Sequence, residues 1–309
     1  MTTILVPLDG SPLAEHALPH VRAMAQILDA RLHLLRAVPE PVPEPVLIEA
    51  MPALSRLEVL PQEQHARQRT AAHEACAHAE GYLFSQVARL RGRGLRATTE
   101  VSIGRADEEI VAAAQHMHAR MIVMATHGWS GLRRWALGSV ADRVVRTSTT
   151  PVLLVRATGD IAQEWTMRRI VVPLDGSYEA QQALPLACDL AERTNAALLF
   201  VRVLTPMLDL DIEWGAMAPE FDVQQRANAQ QELQVLANEY RAQGLHVRTL
   251  VTFGYPAEEI ITTATRHNAD LIVMATHGYS GLQRLVLGSV ADKVLHATST
   301  PLLLVRPTV

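Results

Sequence analysis

Cysteine is nearly absent from this 309-residue chain, with Cys76 and Cys188 as the two examples. Two isolated thiols exclude a disulfide framework and a cysteine-rich metal knuckle. Charge of one sign is also missing: the formal net charge is −4, and the arginines fall as singlets and pairs without a tract. That pattern lacks the electrostatic footprint of a nucleic-acid binder. No apolar run approaches the length of a membrane span, and the N-terminus enters the apolar Ile4-Leu5-Val6 with no basic segment ahead of a signal core. The expectation is a soluble, cytoplasmic protein with neither nucleic acid nor membrane as partner. Two catalytic signatures are absent as well. There is no Walker-loop lysine and no Gly-x-Ser-x-Gly elbow, so efficient phosphoryl transfer and the strand-to-helix serine nucleophile have no support.

What the chain does contain is itself, twice. Met-Ala-Thr-His-Gly-x-Ser-Gly-Leu-x-Arg-x-x-Leu-Gly-Ser-Val-Ala-Asp runs from Met124 to Asp142 and again from Met274 to Asp292. Pro7-Leu8-Asp9-Gly10-Ser11 recurs as Pro173-Leu174-Asp175-Gly176-Ser177, and Pro151 to Arg156 recurs as Pro301 to Arg306. Two copies of one domain follow, expected at 1–156 and 168–309 with the polar stretch 157–167 as linker. Asp9 and Asp175 are 166 apart but His127 and His277 only 150, so the first copy carries 166 − 150 = 16 additional residues. Their expected place is the proline-rich stretch Pro39 to Pro61. A domain of about 150 residues is large enough to support its own core.

Short runs rich in Ile, Leu and Val alternate with helical stretches in both copies. In the first, strands are expected at Ile4 to Pro7, Leu32 to Val38, Leu95 to Val101, Met121 to Ala125 and Val152 to Val155. The helices between them are expected at Pro12 to Asp29, Glu58 to Arg91, Ala106 to Met117 and Ser139 to Ser148. Strict alternation predicts an α/β fold: two tandem doubly wound, flavodoxin- or Rossmann-like domains, each with five parallel strands and four helices. The Leu-Leu-Val strands at 153–155 and 303–305 are expected to be edges, suited to pairing the halves within a chain or chains with one another.

Asp9 and Asp175 follow the first strand of each copy, and the glycine-rich loops follow the fourth. In an open parallel sheet, ligands bind beyond the carboxyl ends of strands where the strand order reverses. Gly138-Ser139 and Gly288-Ser289 open a helix, so the serine could cap it while backbone N–H groups and the hydroxyl donate to an anion. Gly128 and Gly278 let the loop backbone approach a ligand. A carboxylate repels phosphate but accepts from ribose hydroxyls or an adenine amino group, so sugar or base belongs at the strand-one end and phosphates at the helix end.

These residues resemble the universal stress protein family over nearly the whole of each repeat. Its ATP-binding branch carries Gly-x-x-Gly, nine residues, then Gly-Ser or Gly-Thr. The matching residues are Ala125 to Gly128, nine residues, Gly138-Ser139, and Ala275 to Gly278, nine residues, Gly288-Ser289. The departure is alanine for the first glycine in both copies, which costs affinity if that position needs positive φ and is harmless otherwise. The resemblance implies the strand order 3-2-1-4-5 and an ATP site in each half, with Mg2+ as the candidate companion ion. It places adenine against the backbone near Leu8, Ala37 and Met124 in one half, and Leu174, Val203 and Met274 in the other. Pro7, Val140, Pro173 and Val290 flank those motif residues and complete the implied ATP-binding set, together with His127 and His277 in the loops.

Several residues invite a stronger reading. His127 and His277 could be general bases, but no nucleophile and orienting carboxylate accompany them, which favours a packing or hydrogen-bonding role in the loop. Asp142 and Asp292, and the pairs Glu108/Glu109 and Glu258/Glu259, lie in first helical turns where the dipole accounts for them. Arg133, Arg134 and Arg284 either reach phosphate or are solvated, and Trp129 and Tyr279 either cover a ligand or anchor the loop. The reading is a nucleotide-responsive stress regulator whose partner is an adenine nucleotide, with an intrachain pseudo-dimer and a homodimer as assemblies. The rival readings are a ligand-free interaction scaffold and a slow ATP hydrolase.

Overall fold

The computed structural model describes residues 2–40, 60–126, 137–157, 164–205, 218–277 and 287–307, with side chains described outside 60–69 and 218–221. The first repeat contributes β1 (Thr3–Pro7), α1 (Leu18–Ile27), β2 (Arg31–Val38), α2 (Leu60–Arg91), β3 (Ala97–Ile103), α3 (Ala106–His116), β4 (Met121–Ala125), α4 (Ser139–Thr147) and β5 (Val152–Val155). The second contributes β6 (Arg169–Pro173), the single turn α5 (Tyr178–Gln181), α6 (Leu184–Thr194), β7 (Ala197–Leu204), α7 (Ala218–Ala242), β8 (Val247–Phe253), α8 (Pro256–Arg266), β9 (Leu271–Ala275), α9 (Ser289–Ala297) and β10 (Leu302–Val305).

Each repeat forms five parallel strands in the expected order, β3-β2-β1-β4-β5 and β8-β7-β6-β9-β10. The α/β architecture read from the alternating pattern is the one observed. The expected helix Pro12 to Asp29 is broken: a 3-10 turn at Ala14–Ala17 precedes α1, and the short α5 precedes α6 in the same way. Pro19 and Pro185 stand in the first turns of α1 and α6. A proline there cannot donate to the preceding turn, so the helix restarts at it. β3 begins two residues later than the Leu95 expected from the apolar pattern, and β8 likewise begins two residues after the equivalent Leu245. Leu95 N–H donates to Leu90 O and Leu245 N–H to Tyr240 O, both at 3.2 Å. These leucines therefore close the preceding helix and pack on the core.

β5 and β10 end the strand orders of their repeats and meet each other, the within-chain pairing to which the Leu-Leu-Val strands are suited. They pair antiparallel, Leu153 opposite Leu303, and join the halves into one ten-stranded sheet whose outer strands are β3 and β8. The apolar cores of the two repeats are continuous across this junction. One apolar layer joins α1 and α2 residues such as Met24 and Leu83 to Leu190 and Leu233 of α6 and α7. The layer on the opposite face joins Ile110 and Val144 of α3 and α4 to Ile260 and Val294 of α8 and α9. Once β5 meets β10, a separate core would leave apolar surface wet at the junction, and burying it is favourable.

Polar contacts cross the same junction. Arg156 Nη2 donates to His296 O at the end of α9, and Arg306 Nη2 to Arg146 O at the end of α4, each at 2.6 Å. The repeated terminal arginine of each half thus satisfies the carbonyl end of the other half's helix. Asp142 and Asp292 are not merely solvated first-turn charges. Arg146 Nη2 lies 2.9 Å from Asp142 Oδ1 and 2.8 Å from Asp292 Oδ1, bridging the first turns of α4 and α9.

His20 of α1 is buried against Trp165, ring centroids 4.7 Å apart. Burial, with a smaller contribution from the Arg22 charge and despite a bond to the His16 carbonyl, pushes the imidazole down to about 4. The unfolded chain gains this proton near the ordinary value of 6.5, which the folded chain refuses until about pH 4. Stability is therefore full above pH 6.5 and falls as pH drops towards 4. The loss should total about 3 kcal/mol. Chemical denaturation at stepped pH should show it, and His20→Phe should flatten that part of the profile.

Candidate functional site

In each half a crevice opens beyond the carboxyl ends of the two middle strands. β1 pairs with β2 on one side and β4 on the other, and β6 pairs likewise with β7 and β9, so the crevices sit where the strand order reverses. The first has a volume of about 520 Å³ and the second about 280 Å³. The larger falls within the size of small-molecule sites and the smaller near its lower limit.

Pro7, Leu8, Asp9, Ala37, Met124, Ala125, Gly138, Ser139 and Val140 all line the first crevice. Pro173, Leu174, Asp175, Val203, Met274, Ala275, His277, Gly288, Ser289 and Val290 line the second. His127, Gly128 and Gly278 lie outside the described residues, as do Trp129, Arg133, Arg134, Tyr279 and Arg284. The geometry thus brings together every candidate that it describes, from β1, β2, β4 and α4 in one half and β6, β7, β9 and α9 in the other.

The helix openings differ from expectation in one respect. Gly138 and Gly288 are the N-caps, no side-chain cap bond is made, and Ser139 and Ser289 are the exposed first helical residues. Gly138 N–H donates to Thr126 O at 2.7 Å and Gly288 N–H to Thr276 O at 2.8 Å, fastening each helix start to the end of its strand. A Cβ at Gly288 would stand 3.0 Å from Thr276 O, a tight approach to backbone that favours glycine. Its φ is −59°. Without a side-chain cap, the first-turn N–H groups and the serine hydroxyl remain as donors toward the crevice, at the positive end of the helix dipole.

At the opposite end stands an aspartate held by its own loop. Asp9 Oδ1 accepts from Ser11 N–H at 2.8 Å, while Asp175 Oδ1 accepts from Ser177 N–H at 2.9 Å and from its hydroxyl at 2.5 Å. Ser11 and Ser177 in turn accept from Ala14 and Ala180 N–H, capping the turns that follow. Gly10 and Gly176 adopt φ of 87° and 92°, where an L side chain is strained. The repeated Asp-Gly-Ser is therefore a device that aims a carboxylate into the crevice mouth.

Ala125 and Ala275 are not among the residues with positive φ; they end β4 and β9 in parallel register with Val155 and Val305. The backbone there has no need of glycine. His277 Nδ1 lies 2.9 Å from Thr276 Oγ1, and its buried Nε2 has no hydrogen-bond partner among the described residues. Glu108, Glu109, Glu258 and Glu259 line neither crevice. Glu108 pairs with Arg105 at 3.0 Å, and Glu259 accepts from Thr252 Oγ1 at 3.0 Å. Both cysteines are free, and burial pushes the Cys188 thiol up to about 12, which leaves it unreactive.

Sequence reasoning missed several lining residues. Ile110 and Ile260 rise from α3 and α8, and their recurrence after each Glu-Glu pair was the available signal. Arg36 is repeated as Arg202, yet only Arg36 lines its crevice. His78 reaches the first crevice from α2, and no pattern in the sequence relates that helix to the site.

Comparison with known proteins gives this geometry its relatives. The model of the universal stress protein family matches residues 1–156 and again 166–306. The chain belongs to the universal stress protein family. A family member from Mycolicibacterium smegmatis is 25% identical over 308 residues, covering 98% of this chain and 97% of that protein. A Mycobacterium tuberculosis member is 29% identical over 191 residues, 61% of this chain, and the match spans 62% of that relative's length. Among solved structures, a universal stress protein from Archaeoglobus fulgidus superposes with a TM-score of 0.71 at 20% identity, covering 98% of both chains. That likeness establishes the shared fold.

Among the described residues, no helix is long and apolar enough to cross a membrane.

Proposed function

We propose that each half binds one adenine nucleotide, and that the protein is a nucleotide-responsive stress regulator. The observation that carries this reading is the pairing, in both crevices, of an uncapped helix start bearing an exposed serine with a loop-held aspartate across an apolar floor. Phosphates suit the first-turn donors of α4 and α9. The Met124 and Ile110 side chains, and Met274 and Ile260 in the second half, offer apolar surface to a purine face. Asp9 and Asp175 accept from sugar hydroxyls or the base. ATP fits the donor set best, because the helix end is the richest in donors. Among the described residues no three His, Cys, Asp or Glu side chains converge as a metal cage. A Mg2+ ion would thus arrive on the phosphates, keeping most of its own water.

Two identical motifs predict two ligands. Calorimetric titration of nucleotide-free protein with ATP should give a stoichiometry near two, and ion-pair chromatography of the denatured protein should identify any adenylate carried through purification. A chain that releases none and shows no heat with ATP, ADP or AMP would turn the assignment to a ligand-free scaffold.

A further inference from the structure

The two crevices share their motifs, but among the described residues their charged lining differs. Arg36 and Arg202 are repeat equivalents, 166 residues apart, at the ends of β2 and β7. The residue facing each arginine from the long helix is also a repeat pair, at a spacing of 150: Tyr82 on α2 and Glu232 on α7. In the first half the Arg36 guanidinium lies over the Tyr82 ring, 5.5 Å from its centroid, and lines the crevice beside Asp9. Among the described residues it forms no ion pair. The carboxylate in that neighbourhood, Glu15, is engaged elsewhere, accepting from Tyr82 OH at 3.1 Å and Gln86 Nε2 at 2.8 Å.

In the second half the arrangement is reversed. Gln181 replaces Glu15, and the carboxylate moves onto the arginine itself: Arg202 Nη2 lies 3.3 Å from Glu232 Oε2. Arg202 then lines a separate cavity of about 370 Å³ on the α7 side of the Asp175 loop, and not the crevice. A second substitution acts in the same direction. His78 lines the first crevice, whereas its repeat equivalent Asn228 lines the α7 groove outside the second.

We propose that the crevices are unequal sites, the first a tight site for polyanionic nucleotide and the second a weak one, with the residue opposite the arginine setting the difference. This rests on the nucleotide reading above. Arg36 shares its crevice with Asp9 but has no carboxylate in ion-pair contact among the described residues, whereas Arg202 has Glu232 at 3.3 Å, so more of the Arg36 field is left for a ligand. The difference should widen with the negative charge of the ligand, from AMP through ADP to ATP.

The test is calorimetry of the full chain with the three nucleotides at low salt. Two classes of site should appear with ATP, at least about tenfold apart, converging with AMP. Arg36→Gln should weaken the tight class about tenfold and leave the weak one unchanged. Glu232→Gln, on an exposed side chain, should tighten the weak class about threefold. His78→Asn, also at the surface, should weaken the tight class. Circular dichroism and the melting midpoint confirm that each variant is folded. Two equal classes in the parent protein, or constants unmoved by both Glu232→Gln and His78→Asn, would overturn the inequality while leaving nucleotide binding standing. Absence of binding to all three nucleotides would remove both.

Discussion

Gly288→Val is expected to empty the second crevice and leave the first in use, so that the ATP stoichiometry falls from two to one. A Cβ at this position meets Thr276 O at 3.0 Å, against the strand end to which Gly288 N–H is bonded. Backbone cannot step aside as a flexible side-chain tip can. A branched side chain is therefore expected to press the start of α9 away from β9, shifting the first-turn donors and Ser289 together. Affinity at that site should drop by about a hundredfold or more, corresponding to the loss of two charge-assisted hydrogen bonds at about 1.5–3 kcal/mol each. The cost in stability should be about 1–3 kcal/mol, as for overpacking generally. Titration gives the stoichiometry and thermal melting gives the stability. A folded variant that still takes up two nucleotides with parental affinity would place the phosphates away from α9.

Leu303→Ala is expected to lower the stability of the whole chain by about 2–5 kcal/mol, the range for emptying a buried leucine site. Leu303 is fully buried, as is its cross-strand partner Leu153, and both belong to the apolar layer that runs through the two repeats. The physical content of the prediction lies in the shape of the transition. If one layer spans both halves, unfolding should remain a single event whose midpoint falls by roughly 1.5 °C per kcal/mol, as expected for a unit of this size. The transition should be followed by calorimetry and by tryptophan fluorescence. Two separate transitions, with one of them unshifted, would mean that the halves are independent bodies joined only by a strand pair.

Much of the site was legible because it is written twice. The Asp-Gly-Ser turn, the strand ends at Ala125 and Ala275 and the Gly-Ser helix starts are local signals, each fixed by residues close in sequence. Repetition separated them from chance. The same locality explains the errors. A serine after glycine resembles a cap until the backbone shows that the glycine occupies the cap position, because Gly138 and Gly288 are bonded to residues twelve positions back. Asp142 resembles a solvated first-turn charge until α9 arrives beside it. Arg36 and Arg202 are the same residue in the same repeat position, and they differ only through what α2 and α7 place opposite them.

By itself the sequence determined the repeat, the alternation of strand and helix, the residues that gather at the crevices and the family resemblance that supplies the strand order. These rest on periodicity and short-range chemistry, which a linear text carries in full. The tertiary structure decided that β5 and β10 pair within one chain to make a single sheet, that the two apolar layers run through both halves, and that Arg36 and Arg202 meet different partners. Each of those depends on which surfaces meet across stretches of chain distant in sequence, and burial and electrostatic energies depend on distance in space.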